Sequence, residues 1–392
     1  MLEVVDLFAE RGTRDELGMG GIRDAFADML FPGTTTIMTR ARYFLLVPWT
    51  YLELERKRKG SKEIAQFARR AEAELIEVIE RSEDSAGNIG KHSRHALKRM
   101  PSSVYWQGLG VWGIRTYSGS QDQYHRSVDR FYSQIGSHSR RQLERDLEHD
   151  DLAGTNWLPA VARLMPEDFQ ERSSLRLRRQ EAEFLRERIR LSPRTSGTML
   201  DELATRRDHH EPVAFAWEHP MLGAWPPRLQ AILGHAQNFS DLMHGASLLY
   251  NLILAEESAR EEAVNQFRDR LEDWAQRVVA RAATMGRWDR ARFWELAMGT
   301  SHGITTGARV FVEEWWELVL GGGPSLVCDS KPARALVTKR ERELKRGLAR
   351  IGNPRARELW NGDSGSDALE FRWGITQALL NDIFDGLEAA DA

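Results

Sequence analysis

The segment at residues 36–58 constrains the fold most strongly, because a short apolar run lies there between charged flanks. The run at residues 43–51 is almost wholly apolar, whereas Arg40 and Arg42 precede it and alternating acids and bases follow it. A transmembrane helix needs roughly 20 apolar residues, and this run is about half as long. The segment therefore predicts a buried core helix and no membrane span.

Pro48 lies inside this predicted helix. Proline has no backbone N–H, and its ring crowds the carbonyl group four residues earlier, here that of Phe44, so we expect a kink or a break in the helix. The carbonyl group of Phe44 then needs another donor. A water molecule, the indole of Trp49 or a nearby arginine would supply it.

The composition excludes several classes of protein. Lys and Arg together number 55 and Asp and Glu 58, so the net charge of -3 gives no overall attraction to nucleic acid or to a membrane. Any such attraction must be local. The single cysteine, Cys328, excludes an internal disulfide framework and every zinc site with several cysteines. The first residues lack the pattern of a secretory signal peptide, so we expect a cytoplasmic protein.

Helical periodicity recurs along the chain. Thr13 and Glu16 match a capping box, in which Thr13 is the N-cap, and Ile22, Phe26 and Leu30 follow at helical spacing. Similar amphipathic patterns recur to the end of the sequence. We predict an all-α, multi-helical fold with little or no sheet.

The length predicts more than one domain. At 392 residues the chain exceeds the usual size of a single domain. Three prolines within residues 220–227 mark the best candidate boundary, because prolines interrupt helices. We therefore predict two packed helical lobes, an N-terminal lobe at 1–219 and a C-terminal lobe at 228–392.

Glycines 108, 110 and 113 match the spacing GxGxxG of dinucleotide-binding proteins. That motif requires a strand before it and a helix after it. The preceding residues 104–106 make a poor strand between a proline turn and the first glycine. Close packing of the glycines under Trp106 and Trp112 is the favoured interpretation, and the sequence predicts no cofactor.

A polar line crosses the second apolar helix, which is predicted at residues 238–257. Asp241, His244, Ser247 and Asn251 follow one another at spacings of three and four and so share one face. Polar side chains on an apolar helix need partners. An internally satisfied network is the favoured interpretation, and a polar cleft formed by Asp241, His244 and Asn251 is the alternative.

A basic amphipathic helix is predicted at residues 331–351. Its apolar positions Leu336, Val337, Leu344, Leu348 and Ile351 share one face, and cations share the opposite face. Such stripes hold phosphate backbones through charge and counterion release. The predicted nucleic-acid-binding residues of this segment are Arg334, Lys339, Arg342, Lys345, Arg346, Arg355 and Arg357.

The basic face has a second explanation. Glu341 and Glu343 lie among the cations, so a solvated face with no ligand fits the pattern equally well.

A second basic stretch precedes Pro101. Its predicted nucleic-acid contacts are Lys91, Arg94, Lys98 and Arg99.

The sequence Asp329-Ser330-Lys331 follows a short apolar run, an arrangement found in nucleases of the restriction-enzyme type. The carboxylate would bind Mg²⁺ together with an upstream glutamate, and the lysine would help to activate water. The upstream candidates are Glu313, Glu314 and Glu317. A turn capped by Asp329 is favoured, because Pro332 follows and opens a helix. The sequence predicts no metal site, since the clustered acids at 144–151 are better explained as a solvated helix end.

Two blocks carry a resemblance to a known family. Residues 16–49, ELGMGGIRDAFADMLFPGTTTIMTRARYFLLVPW, and residues 242–256, LMHGASLLYNLILAE, resemble an uncharacterised bacterial family of unknown function. Its members are similar in length and lie among phage-defence genes, beside helicases or phospholipase-D-like proteins. The resemblance transfers no catalytic residue. It implies a role in nucleic-acid-linked defence.

These observations predict a non-enzymatic subunit of a bacterial antiviral system that contacts nucleic acid or acts as a scaffold. The predicted partners are nucleic acid and a protein such as a helicase of the same system. Two alternatives remain: a metal-dependent nuclease that uses Asp329 and Lys331, and a pure protein-interaction subunit.

Overall fold

The computed structural model describes residues 15–91, 97, 99–143, 156–206 and 212–389, without the side chains of 135–143. Within these ranges the regular structure is helical, with no β-strand and one isolated bridge between Arg115 and Trp157. The predicted all-α, multi-helical class is confirmed.

The helices are numbered in chain order. They are α1 (Gly20–Leu30), α2 (Tyr43–Arg56), α3 (Ile64–Glu80), α4 (Pro101–Val111), α5 (Gln121–Leu143), α6 (Pro159–Leu164), α7 (Arg179–Leu191), α8 (Met199–Arg206), α9 (Pro227–Glu257), α10 (Glu261–Ala280), α11 (Ala282–Gly286), α12 (Arg290–Met298), α13 (Thr306–Gly322), α14 (Lys331–Lys345), α15 (Pro354–Arg357) and α16 (Trp373–Glu388). Short 3₁₀ helices lie at Ala216–Glu218, Leu222–Ala224, Pro324–Asp329 and Arg346–Leu348.

The contacts group the chain into two compact units, each built from two separate stretches. The first unit combines residues 1–30 with 213–371, and the second combines 31–212 with 372–392. The predicted lobes at 1–219 and 228–392 are continuous stretches, so this grouping differs at both ends of the chain. The division into those lobes stays a prediction.

Helix α2 is the buried helix that the apolar run predicts. It continues through Pro48 without a break, and almost all of its side chains are buried in the second unit. The indole of Trp49 donates to the carbonyl oxygen of Val161 at 2.9 Å, so it does not serve the carbonyl group of Phe44. The apolar run therefore anchors the second unit, while its indole joins α2 to α6.

The glycines of the GxGxxG pattern serve packing. Gly108 lies inside α4, where an added Cβ would overlap the carbonyl oxygen of Gly33 and press on Phe44. The ring of Phe44 stacks on that of Trp112 with centroids 3.8 Å apart. Gly108 is closely packed, but the atoms nearest its added Cβ belong to Gly33, Met38 and Phe44 and not to Trp106 or Trp112. The helical conformation of α4 is wrong for a dinucleotide fingerprint, which needs a strand before the first glycine.

The capping box at the start of the chain is a wrong prediction. Helix α1 begins at Gly20, and Asp15 accepts the backbone N–H groups of Met19 at 2.6 Å and of Gly20 at 2.7 Å. Glu16 lies before the helix and cannot occupy its third position. Thr13 lies outside the described residues.

Helix α9 is the centre of the first unit. It begins at Pro227, eleven residues before the predicted start, and packs most extensively on α10. Gly245 makes this close approach possible, since a Cβ there would overlap the ring of Trp274. The indoles of Trp274 and Trp315 donate to the carbonyl oxygens of Asp241 and Leu242, at 2.6 and 2.9 Å.

Candidate functional site

The candidate site is the basic segment at residues 331–357 in the first unit. Helix α14 begins with Ser330 as N-cap, whose hydroxyl accepts the N–H of Ala333, and it ends before Arg346, which has φ +50°. A positive φ is unfavourable for any residue but glycine and ends the helix. The predicted helix to Ile351 is thus too long, and the predicted cap at Asp329 is wrong.

Apart from the exposed Lys331 at its start, the cations of the segment fall into two sets. The inner cations are the buried and half-buried ones, and they bind acids or backbone carbonyls within the first unit, whereas the exposed Lys339 pairs with the exposed Glu343 at 4.0 Å. The inner cations are Arg334, Arg340, Lys345, Arg350 and Arg357. The outer cations project from the surface. They are Lys339, Arg342, Arg346 and Arg355.

Arg334 is the first of the inner cations. Its guanidinium binds both carboxylate oxygens of Glu256, at 2.6 and 3.0 Å, and Arg268 binds the same carboxylate at 3.1 Å. Hydrogen bonds from Arg334 hold the pKa of Glu256 below its usual range. Arg357 forms a similar pair with Glu257 and donates to its carbonyl oxygen at 3.0 Å. These pairs join α14 and α15 to the C-terminal end of α9.

Glu16 is the centre of a buried ionic cluster. Its carboxylate binds the ammonium of Lys345, the guanidinium of Arg350 at 2.9 Å and the hydroxyl of Ser364. Burial opposes ionisation of Glu16, yet Lys345 and its neighbours outweigh burial and lower the pKa. A buried carboxylate is stable as an ion only when it is paired in this way.

Glu341 is a second buried carboxylate beside the first. It accepts the hydroxyl of Tyr250 at 2.7 Å and the backbone N–H groups of Arg350 and Ile351, both at 2.9 Å. Lys345 lies 3.3 Å from it and so links Glu341 to Glu16. The sequence reasoning missed this role, because an acid among surface cations predicts a solvated neighbour. The useful signal was its position four residues before Lys345.

The apolar face of the segment is only partly buried. Leu336, Val337 and Ile351 are buried, as predicted. Leu344 is 41% exposed and Leu348 is 77% exposed, so the prediction that these two pack inside is wrong. For Leu348 the physical reason is the end of α14 at Lys345, since the turn at Arg346 changes the direction of the residues that follow, whereas Leu344 lies in the last turn of α14 itself.

A small cavity lies beside the ionic cluster. Its volume is about 30 Å³, and its walls include Glu16, Arg23, Ser247, Tyr250 and Ser364. Such a volume holds about one water molecule. The cluster is therefore a structural core, and the ligand-accessible part of the segment is its outer surface.

The second basic stretch belongs to the second unit. Lys91 forms an ion pair with Glu80 at 2.9 Å, and Arg99 lies at the surface. Arg94 and Lys98 lie outside the described residues. The stretch stays a prediction as a nucleic-acid contact.

The polar line of α9 finds its partners inside the first unit. Asn251 accepts the indole N–H of Trp360 at 3.1 Å and the N–H of Ser364 at 2.9 Å, and it donates to the carbonyl oxygens of Ser247 and Ser364. Asp241 forms an ion pair with Arg281. These are the contacts that an internally satisfied network requires.

His244 completes the line. Its Nε2 lies 3.0 Å from the carbonyl oxygen of Ser366, and its Nδ1 lies 3.4 Å from a guanidinium nitrogen of Arg277. A guanidinium can only donate, so Nδ1 accepts and Nε2 carries the hydrogen that Ser366 receives. Burial, together with Arg270 and Arg277, lowers the pKa of His244 to about 4. The imidazole is therefore neutral at physiological pH.

The residues of the nuclease alternative bind other groups. Asp329 is largely exposed and pairs with Arg268 at 3.2 Å, and Glu313 accepts a hydrogen bond from Arg290. Among the described residues no three His, Cys, Asp or Glu side chains converge as a metal site would require. The acids at 144–151 lie outside those residues. The nuclease stays a prediction without support from this geometry.

The helices and their ionic core define an all-α, multi-helical protein with a basic surface segment. The chain belongs to a family of unknown function (DUF6361), whose sequence model matches residues 2–387. No curated protein and no solved structure matches the chain. The resemblance to an uncharacterised family is thus confirmed, and its phage-defence context stays a prediction. In the part of the chain that the structure describes, no helix has the length and apolar character to cross a bilayer.

Proposed function

We propose that this chain is a non-enzymatic, cytoplasmic subunit of a bacterial antiviral system, and that it contacts nucleic acid through its outer cations. The observation that carries the proposal is the exposure of Lys339, Arg342, Arg346 and Arg355 along one short segment. The antiviral setting rests on the resemblance of the sequence blocks described above.

The ionic core supports a binding role for the outer set alone. Arg334, Lys345 and Arg357 already neutralise carboxylates of the first unit. For the pair of Lys345 with the buried Glu16, moving one partner away costs about 3–5 kcal/mol, which a phosphate contact does not return, whereas the half-buried pairs of Arg334 and Arg357 contribute less. The inner cations also fix α14 and α15, so Lys339, Arg342 and Arg355 extend from a rigid support. Rigid support lowers the ordering cost of binding.

The test is binding of fluorescently labelled single- and double-stranded DNA and RNA, measured by anisotropy at low salt. Reversal of all four outer cations to glutamate should abolish binding, because the contacts are electrostatic. Unchanged affinity of that variant would overturn the proposal. Circular dichroism would show that the variant keeps its helices.

A matched control separates the outer cations from the total charge. Arg228, Arg287, Arg292 and Arg309 are also exposed cations of the first unit. Their reversal to glutamate changes the net charge of the protein by the same amount. This control should keep most of the wild-type affinity, and an equal loss in both variants would mean that only the net charge matters.

A pure protein-interaction subunit is the second candidate. Leu348 and Leu359 are each 77% exposed in the same stretch of the chain, and large exposed leucines favour a protein partner. A partner such as a helicase of the same system would then cover them. Co-purification with that partner, lost in Leu348→Asp and Leu359→Asp, together with no affinity for any nucleic acid, would establish this second function.

A further inference from the structure

A groove between α13 and α14 has a composition that the basic segment does not explain. Its volume is about 540 Å³, and it is open along one side. Leu318, Pro332 and Leu336 form its apolar lining, and Glu313, Glu314 and Glu317 form its acidic rim. Helix α13 supplies the three glutamates and Leu318, and α14 supplies Pro332 and Leu336.

The rim keeps a negative charge after its internal pairing. Arg290 binds Glu313 at 2.6 Å and Glu317 at 3.2 Å, and Glu313 also accepts the indole N–H of Trp294. Three carboxylates against one guanidinium leave two negative charges. The Glu317 side chain is 70% exposed and Glu314 is exposed, so both carboxylates remain accessible.

The apolar surface continues beyond the groove along α13. Val310 is 45% exposed and lies one helical turn before Glu314 on the same face. The exposed side chain of Val310 therefore extends the apolar surface of the groove along α13. A helix that lies along α13 meets both features.

We propose that this groove binds a basic amphipathic helix of a partner protein. Apolar side chains of that helix would pack on Leu318 and Pro332, and its lysines or arginines would pair with Glu314 and Glu317. A helix in a groove is a recurring mode of peptide recognition, and its charged flanks select the partner. Nucleic acid and anionic lipid do not fit this site, because the acidic rim repels phosphate. None of the four outer cations lines the groove, and the proposal stands or falls independently of the proposed nucleic-acid contact.

The test measures binding of synthetic helical peptides of about five turns to the full-length protein. All peptides carry the same leucine stripe. One peptide carries lysine on both flanks, and its twin carries glutamate there. The basic peptide should bind with saturation and at least about tenfold more tightly than the twin. Equal binding of the two peptides, or no binding of the basic peptide, would overturn the proposal.

Two variants locate the peptide. Reversal of Glu314 and Glu317 to lysine should weaken binding of the basic peptide about tenfold or more, and Leu318→Asp should weaken it independently of the rim. The control reverses Glu262 and Glu272, exposed acids of α10, and should leave binding unchanged. Unchanged affinity of both groove variants would contradict the proposal.

Sedimentation equilibrium separates a partner protein from a second copy of this chain. If the groove binds a partner protein, the wild-type protein and the groove variants should have the same oligomeric state. A wild-type dimer that the Glu314 and Glu317 reversal converts to a monomer would mean that a second copy occupies the groove, and it would overturn the assignment to a partner.

Discussion

At the scale of single residues, the buried carboxyl of Glu72 is unusual because burial outweighs both its hydrogen bonds and the positive charge of Arg69. It accepts the N–H and the hydroxyl of Ser102, both at 2.7 Å, and Gln121 connects that hydroxyl to Tyr51. Burial raises the pKa of Glu72 to about 7, although the hydrogen bonds from Ser102 lower it. The carboxyl therefore titrates near neutral pH.

This titration predicts a pH dependence of stability. The folded pKa lies above the ordinary value of 4.5, so stability is full below pH 4.5 and falls as the pH rises through 7. The loss is about 3 kcal/mol. In Glu72→Gln this loss should be absent, as measured by urea unfolding between pH 4.5 and 8. Glu74→Gln, an exposed change on the same helix, should behave as the wild type, and a wild-type slope in Glu72→Gln would contradict the assignment.

His244 predicts the opposite dependence. Its folded pKa of about 4 lies below the ordinary value of 6.5, so its contribution is complete above pH 6.5 and is lost as the pH falls towards 4. The loss is about 3 kcal/mol. His244→Gln keeps an N–H for the carbonyl oxygen of Ser366 but cannot ionise. The difference in unfolding free energy between wild type and variant should therefore change across this range, and a constant difference would show that His244 does not titrate there.

The sequence predicts the contacts of a single residue when one physical requirement determines them. The polar groups on α9 must find partners whatever the fold, so the internal network of Asn251 follows from the sequence. Glu16 is the contrary case. Its partners Lys345 and Arg350 lie more than 300 residues away, and local patterns carry no information on such contacts.

At the scale of elements, two glycines of α9 give a matched pair. A Cβ at Gly245 would overlap Trp274, whereas a Cβ at Gly234 would meet nothing within 4 Å. Gly245→Ala should destabilise the protein by roughly 1–3 kcal/mol through overpacking. Gly234→Ala should stabilise it by roughly 0.5–1 kcal/mol, because alanine is the better helix former. Denaturant unfolding of both variants tests the close approach of α9 and α10, and equal effects would contradict it.

The elements also show where periodicity stops being informative. The apolar positions of residues 331–351 fit one continuous helix, yet Arg346 ends α14 and leaves Leu348 exposed. Periodicity gives the face of each residue but not the point where a helix ends. Pro48 shows the same limit, since α2 continues through a residue that often breaks helices.

At the scale of the whole molecule, the helical class follows from the sequence because each segment repeats its apolar residues at helical spacing. The grouping into units does not follow. Residues 1–30 contribute α1 to the first unit, and residues 372–392 contribute α16 to the second. Their partners are distant in sequence. A run of prolines marks a local interruption of the helices, but it does not show which distant segments pack together in one unit.

The two sets of cations form the central claim of this account, and the salt dependence of DNA binding tests it most directly. Four phosphate contacts predict a slope of log affinity against log salt of about −3.6 for duplex DNA. Arg342→Gln should reduce the slope by about 0.9, because one outer contact is lost. Arg334→Gln should lower stability and leave the slope unchanged, since its partner is Glu256. Equal slopes for wild type and Arg342→Gln, or a reduced slope in Arg334→Gln, would contradict the division into inner and outer cations.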